Sequence, residues 1–352
     1  MPNRPNSLSD MAYQEQILQD VSRTFALTIP LLPPPLRASV GTAYLVCRIA
    51  DTVEDSAVLD AAAKHRFLEQ FQTVVAGKGD ADRFAAKVTP LLGKDTLDGE
   101  KDLVKNTARA VRLINGYSPV ERAAIARCVQ IMCSGMERFQ EGRFTHGLPD
   151  LSELNAYCYH VAGVVGEMLT ELFCAYAPGL AAQRQKLMEL SVPFGQGLQM
   201  TNILKDIWDD RGRGLCWLPR DLFARHGFNL DRIENVNPND PAFESALGES
   251  VAIAASCLDK AMEYCLLLPP SQSGIRRFCL WPVLLAVLTL KKINTRRGFN
   301  TGREVKVSRN TVRISAVFVR TLGGSNALMR AAYKHLRAPL PKLTAEPTAA
   351  RP

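Results

Sequence analysis

Carboxylates recur at helical spacing in two otherwise apolar stretches of this chain, and that recurrence restricts the fold more than any other feature. The first stretch is Asp51-Thr52-Val53-Glu54-Asp55; the second is Asn202-Ile203-Leu204-Lys205-Asp206-Ile207-Trp208-Asp209-Asp210. At about 3.6 residues per turn, Asp51, Glu54 and Asp55 share one helix face, and so do Asn202, Asp206 and Asp210. Tyr44 and Arg48 extend the first row backwards, while Leu45, Val46, Ile49 and Ala50 fill much of the remaining circumference. Isolated carboxylates buried in a low-dielectric interior either protonate or acquire cations. One acidic pair is ordinarily a solvated helix face. Two acidic stripes in apolar helices point instead to a cavity that holds cations and an anionic ligand.

Oxygen donors without neighbouring histidine or cysteine suit Mg²⁺, which keeps several waters and is held by a few carboxylates together with substrate phosphates. The implied ligand is a diphosphate. A net charge of +8 and a pI of about 9.1 suit the same anionic partners, or acidic lipids. Nucleic acid is not expected: the basic residues are dispersed, no RNA-binding aromatic signature is present, and the densest basic segment, Lys291 to Arg309, is short.

Little of the sequence alternates with period two, so the expected class is all-α, with no convincing internal linker. The nine cysteines lie mainly in apolar helical stretches without C-x-x-C spacing and read as reduced core residues. The N-terminus lacks the apolar core of a signal peptide, and the apolar run Phe278 to Leu290 is short for a spanning helix and contains Pro282. The expectation is a cytoplasmic protein, soluble or membrane-peripheral, and a monomer.

Helices are predicted from Ser9 to before Pro30, from Arg37 to Asp55, over 61–77 and 99–114, from Pro119 to Arg143, Leu151 to Tyr176 and Ala181 to Asp210. Others follow near Pro219 and over 241–267, 274–296 and 308–337. The stretch 77–94 reads as a connection. One domain is expected over 1–337, with 338–352 a proline-rich disordered tail. Gly163, Gly166, Gly195 and Gly197 each weaken a helix interior by about 1 kcal/mol relative to alanine, so close helix packing or a ligand wall must compensate.

Four segments in order, over about residues 20 to 335, resemble the squalene/phytoene synthase family of head-to-head condensing enzymes. They are Ser22-Arg23-Thr24-Phe25; Tyr44-x-x-x-Arg48-x-x-Asp51-x-x-Glu54-Asp55; Tyr157-Cys158-Tyr159-His160-Val161-Ala162-Gly163-x-x-Gly166; and Gln199-x-Thr201-Asn202-x-x-x-Asp206-x-x-x-Asp210. The resemblance implies a single-domain helical bundle of the isoprenoid synthase type around a central cavity. It makes Asp51, Glu54, Asp55, Asp206 and Asp210 ligands of Mg²⁺ ions that bridge to prenyl diphosphates. Arg23, Phe25, Tyr44, Arg48, Gln199, Asn202 and Arg213 become substrate-binding candidates, and Tyr157, with the aspartates Asp51, Asp55, Asp206 and Asp210, is the catalytic set. For Arg48 an i,i+3 pair with Asp51 is the structural alternative, and for Tyr157 packing against the Gly163 helix.

Within that family, Phe278-Cys279-x-x-Pro282-x-x-x-Ala286-x-x-Thr289-Leu290 followed by Phe299-x-x-Gly302-x-x-Val305-Lys306 resembles the C-terminal region of the squalene-forming branch. That implies NADPH, with Asn202, Phe278, Lys306 and Arg309 as its contacts; ordinary surface cations are the alternative for Lys306 and Arg309. No G-x-G-x-x-G at a strand–helix junction offers a Rossmann site. The implied reaction joins two farnesyl diphosphates to presqualene diphosphate and reduces it to squalene. The alternatives are an NADPH-independent dehydrosqualene- or phytoene-forming relative, or a non-catalytic assembly factor. The chain departs from the family where an arginine is usual before the aromatic-Leu-Pro element: Leu215 stands there, with Arg211 and Arg213 nearby.

Overall fold

Side-chain caps and prolines set most of the helix boundaries in the computed structural model, which describes residues 9–22, 25–141, 144–235 and 237–343. Helix α1 (Asp10–Val21) begins where the Ser9 hydroxyl accepts from the Ala12 N–H at 3.2 Å. The continuation predicted up to Pro30 is broken, because Ser22 is extended and its hydroxyl accepts from the N–H groups of Phe25 and Ala26, starting the short α2 (Phe25–Thr28). Prolines in its first turn open α3 (Pro34–Glu54), which ends one residue before Asp55. Asp60 caps α4 (Ala61–Val75).

The stretch 77–94 contains a helix that composition concealed, α5 (Ala81–Val88), capped by Asp80 and held by buried Phe84, Ala85 and Val88. The helix predicted over 99–114 is two, α6 (Asp98–Lys105) and α7 (Thr107–Asn115). Asn106 separates them by turning its amide back onto the Asp102 carbonyl at 2.9 Å. Helix α8 (Pro119–Glu141) follows.

The chain divides into two compact units, residues 1–141 with 168–182, and residues 142–167 with 183–352. In the first, α3 packs against α1, α4, α6, α7 and α8. Leu45, Val46, Ile49, Ala50 and Val53 on α3 are completely or almost completely buried, each larger one contributing about 1.5–3 kcal/mol by leaving water.

The second unit holds α9 (Leu151–Cys158), a π-helical turn at Tyr159–Gly163, and the start of α10 (Val164–Tyr176). It continues with α11 (Arg184–Gly212), α12 (Arg220–Arg225), α13 (Pro241–Leu267), α14 (Ser273–Thr295), α15 (Gly302–Val305), α16 (Arg309–Leu322) and α17 (Asn326–Arg337). Helix α11 packs along α13, and α14 packs on α11, α13, α16 and α17. The predicted 308–337 helix is interrupted at Gly323-Gly324-Ser325, where Ser325 caps α17.

Both glycine questions raised by the sequence have the packing answer, and they share it. A Cβ on Gly166 would collide with the Ser191 carbonyl, and one on Gly195 with the Ala162 carbonyl. The π-turn and α10 therefore cross α11 at backbone contact, which only glycine at these positions permits.

No strand occurs among the described residues; Leu148 and Pro219 form one isolated parallel bridge. The nine cysteines are unpaired, and all but Cys174 and Cys257 are buried. Helix α14 is long and apolar enough to cross a membrane by length and composition, but 67% of its most apolar window is buried within the protein. Order also runs past Ala338, where a disordered tail was expected. Leu340 is buried, the Pro339 carbonyl accepts from Asn294, and Arg337 donates to the Leu340 and Pro341 carbonyls. Residues 344–352 of that tail lie outside the described residues.

Candidate active site

Helix α3 places Tyr44, Arg48 and Asp51 in register near its C-terminal end. The Arg48 guanidinium donates to the Tyr44 hydroxyl at 3.2 Å and lies 3.8 Å from both Asp51 and Glu100. Tyr44 in turn donates to the Val21 carbonyl at 2.9 Å, and its ring centroid is 5.1 Å from that of Phe25. Phe25, Tyr44, Arg48 and Asp51 are thus one linked group. The predicted i,i+3 pair between Arg48 and Asp51 is present, but Glu100 from α6 shares the same guanidinium.

Electrostatics mark Asp51 as unusual. Desolvation pushes its carboxyl up to about 6, with repulsion from Asp55 and Glu100 adding to the rise and Arg48 opposing it. Yet 36% of its side-chain surface is accessible. A carboxyl that is surrounded by protein but reachable by solvent lines a concavity. Arg48 keeps its charge: burial opposes it, but Asp51, Tyr44 and Glu100 outweigh that cost. Its Nε is buried with no hydrogen-bond partner among the described residues.

Glu54 is half-buried, with its carbonyl accepting from Lys64. Asp55 is exposed just beyond the helix end, its N–H bonded to the Asp51 carbonyl at 2.7 Å. Arg23 lies outside the described residues.

In the second unit, Gln199, Asn202, Asp206 and Asp210 follow one face of α11. Lys205 joins two of them, donating to the Asn202 side-chain oxygen at 3.1 Å and lying 3.1 Å from Asp206. Asp210 is only 7% exposed. Desolvation raises its carboxyl above the usual range, Asp206 and Asp209 add repulsion, and Arg213 opposes both by hydrogen-bonding it directly. The loop after α11 thereby brings Arg213 back to the acidic motif despite the leucine at 215.

The C-terminal segment is seated on this same motif. The Trp208 indole donates to the Phe299 carbonyl at 2.6 Å. A Cβ on Gly302 would lie 2.9 Å from the Lys205 carbonyl and 3.3 Å from both Asp206 and Asp209, so glycine is what lets α15 approach α11. Lys306 ends α15 with its side chain exposed and its carbonyl accepting from Lys292 at 2.7 Å, and the exposed Arg309 begins α16. Phe278 is 4% exposed within α14, a core position.

Tyr157 on α9 stacks face to face on Trp217, with centroids 4.0 Å apart and planes 9° from parallel; Phe144 lies 6.1 Å from the far partner of that stack. Three residues with evident influence on these groups were not anticipated: Glu100, Lys205 and Trp217. Glu100 looks in sequence like an ordinary first-turn acid of its helix. Lys205 and Trp217 stand inside or beside recognised motifs, and adjacency was their only signal.

The squalene/phytoene synthase family model matches residues 18–311. The chain belongs to the squalene/phytoene synthase family. Squalene synthase ERG9 of Candida albicans is 27% identical over 282 residues, covering 79% of this chain. The chain spans 60% of that relative's length. Squalene synthase BSS of Botryococcus braunii is 30% identical over 319 residues, which are 86% of this chain and 63% of the relative. Among solved structures, the complex of TcSQS with the ligand E5700 has a TM-score of 0.77 at 23% identity, covering 94% of this chain and 91% of that one. The family's all-helical isoprenoid synthase fold is therefore the fold of this chain.

Among the described residues, no three His, Cys, Asp or Glu side chains converge as a ready-made metal cage. The donor set nevertheless fits Mg²⁺, which needs only one or two carboxylates beside phosphate oxygens and waters. Asp51 and Asp210 are each held against neighbouring carboxylates whose repulsion a divalent cation would relieve. The orphaned Arg48 Nε and the exposed Lys306 and Arg309 fit phosphate oxygens in the same way.

Proposed function

We propose that this chain is a squalene synthase: it joins two farnesyl diphosphates head to head into presqualene diphosphate and then reduces that product to squalene with NADPH. The observation that carries the reading is the seat of the Phe299–Lys306 segment on the second acidic motif, through Trp208 and Gly302. The segment that resembles the squalene-forming branch is thus joined to a diphosphate-binding motif.

Asp51 and Asp55 in one motif, and Asp206 and Asp210 in the other, would hold Mg²⁺, with Glu54 beside the first. When bound, Mg²⁺ supplies positive charge that draws off the diphosphate leaving group, and NADPH supplies the hydride of the reductive step. Arg48 offers its free Nε–H to a diphosphate oxygen while Asp51, Tyr44 and Glu100 hold its guanidinium. Lys205 fixes Asn202 beside Asp206, and Arg213 hydrogen-bonds Asp210, opposing the rise that burial imposes on its carboxyl. The Tyr157 hydroxyl relays the proton lost on cyclopropane closure, handing its own proton to a diphosphate oxygen as it accepts the substrate's, and its stack on Trp217 fixes the ring plane. Lys306 and Arg309 offer cations to cofactor phosphates.

Incubation of the purified protein with farnesyl diphosphate and Mg²⁺, with and without NADPH, tests this. Squalene forming only with NADPH, and presqualene diphosphate accumulating without it, is the expected result. A C30 or C40 triene-centred hydrocarbon made equally without NADPH would place the chain with the carotenoid-forming branch.

A further inference from the structure

Helix α16 leaves two large apolar side chains in water: Ile314 is 69% exposed and Val317 62%. They do not belong to the face that packs on α14, which carries the buried Ser315 and Val319 and is fixed by the Trp281 indole donating to the Ser315 hydroxyl at 2.9 Å. At about 100° per residue, Val317 and Ile314 form one stripe of the outer face, and Arg309, Arg313 and Arg320 form the adjoining stripe. Among the described residues, neither Arg313 nor Arg320 has a carboxylate partner.

The segment that carries this face is basic. Residues 305–345 contain eight Lys or Arg, of which Arg337 on α17 is paired with Asp259, and no Asp or Glu. A helix that exposes isoleucine and valine beside an arginine row, in an acid-free segment, has the make-up of an interfacial helix on an anionic bilayer. Arginine heads meet lipid phosphates while the short apolar side chains enter the headgroup boundary. A second copy of this chain is a poor occupant by the same reasoning. Self-association through one face would oppose two arginine rows around only two apolar residues a side.

We propose that the outer face of α16 docks the protein on anionic membrane surfaces, with Ile314 and Val317 inserting and Arg313 and Arg320 engaging lipid phosphate. This stands independently of the reaction assigned above. Vesicle flotation of the full chain tests it, using phosphatidylcholine alone and equal parts phosphatidylcholine and phosphatidylglycerol. The wild type is expected to float with the anionic vesicles and to be released by salt. Arg313→Glu with Arg320→Glu is expected to weaken binding about 100-fold, and Ile314→Ser with Val317→Ser about 10-fold, with diphosphate release from soluble substrate and the thermal melt unchanged in the latter. Wild type that fails to bind anionic vesicles, or both variants binding as the wild type does, overturns the proposal. So does loss of a dimer in Ile314→Ser/Val317→Ser, by light scattering, without loss of vesicle binding; that result would assign the face to a second copy.

Discussion

Replacing Asp51 with asparagine should make the protein more stable and less active, and the size of the first effect can be worked from its surroundings. The carboxyl rises from an ordinary value of 3.8 to about 6 in the folded protein. Between those values the native state binds more protons than the unfolded chain, so stability falls as pH rises through the interval and stays low above it. Two units at 1.36 kcal/mol each would be about 3 kcal/mol for a fully shielded group. With 36% of the side chain accessible, solvent screening reduces this to about 1 kcal/mol. Asparagine keeps the shape, has no charge to desolvate, and leaves Arg48 its contact with Glu100. The expected result is a melting temperature about 2 °C above wild type at pH 8, with the difference vanishing at about pH 3.5, below the unfolded value of 3.8. Thermal melts by circular dichroism at both pH values measure it. Added Mg²⁺ with inorganic diphosphate should raise the wild-type midpoint and narrow the gap, because ligands that bind only the folded state stabilise it. A variant that melts below wild type at pH 8, or whose gain is the same at both pH values, would refute the account of Asp51 as a destabilised ligand group.

Asp206→Ala or Asp210→Ala should abolish diphosphate release while leaving the far-ultraviolet spectrum unchanged; full activity in either removes the second motif from the site. Gly166→Ala should destabilise by roughly 1–3 kcal/mol through its collision with the Ser191 carbonyl, whereas Gly212→Ala, with open space around it, should be near neutral; chemical denaturation compares them. Trp217→Leu should lower kcat more than it changes KM for farnesyl diphosphate, because it frees the Tyr157 ring without touching the acidic motifs, and an unchanged kcat would make the stack merely structural. Lys306→Ala should raise the NADPH concentration needed for squalene while leaving presqualene diphosphate formation intact, and an unchanged NADPH dependence removes Lys306 from the cofactor site.

Sequence periodicity alone determined that the chain is helical and where its two carboxylate rows stand, because residues three and four apart share a helix face whatever surrounds them. The caps at Ser9 and Asp60 act over the same short range, and the helices they start are legible in local residues, whereas α5, capped by Asp80, is hidden by the composition around it. Only tertiary structure decided which groups those rows meet. Glu100 lies far from Arg48 in the chain and reaches it because α6 packs on α3. Gly302 is significant because α15 lies on α11, and Gly166 and Gly195 because two helices cross at backbone contact. Burial is also a property of the assembled core: spacing puts Asp51 and Asp210 on their helix faces, but desolvation by the packed neighbours is what lifts their carboxyls. Spacing along the chain specifies a face, whereas desolvation and contact depend on what packs against that face.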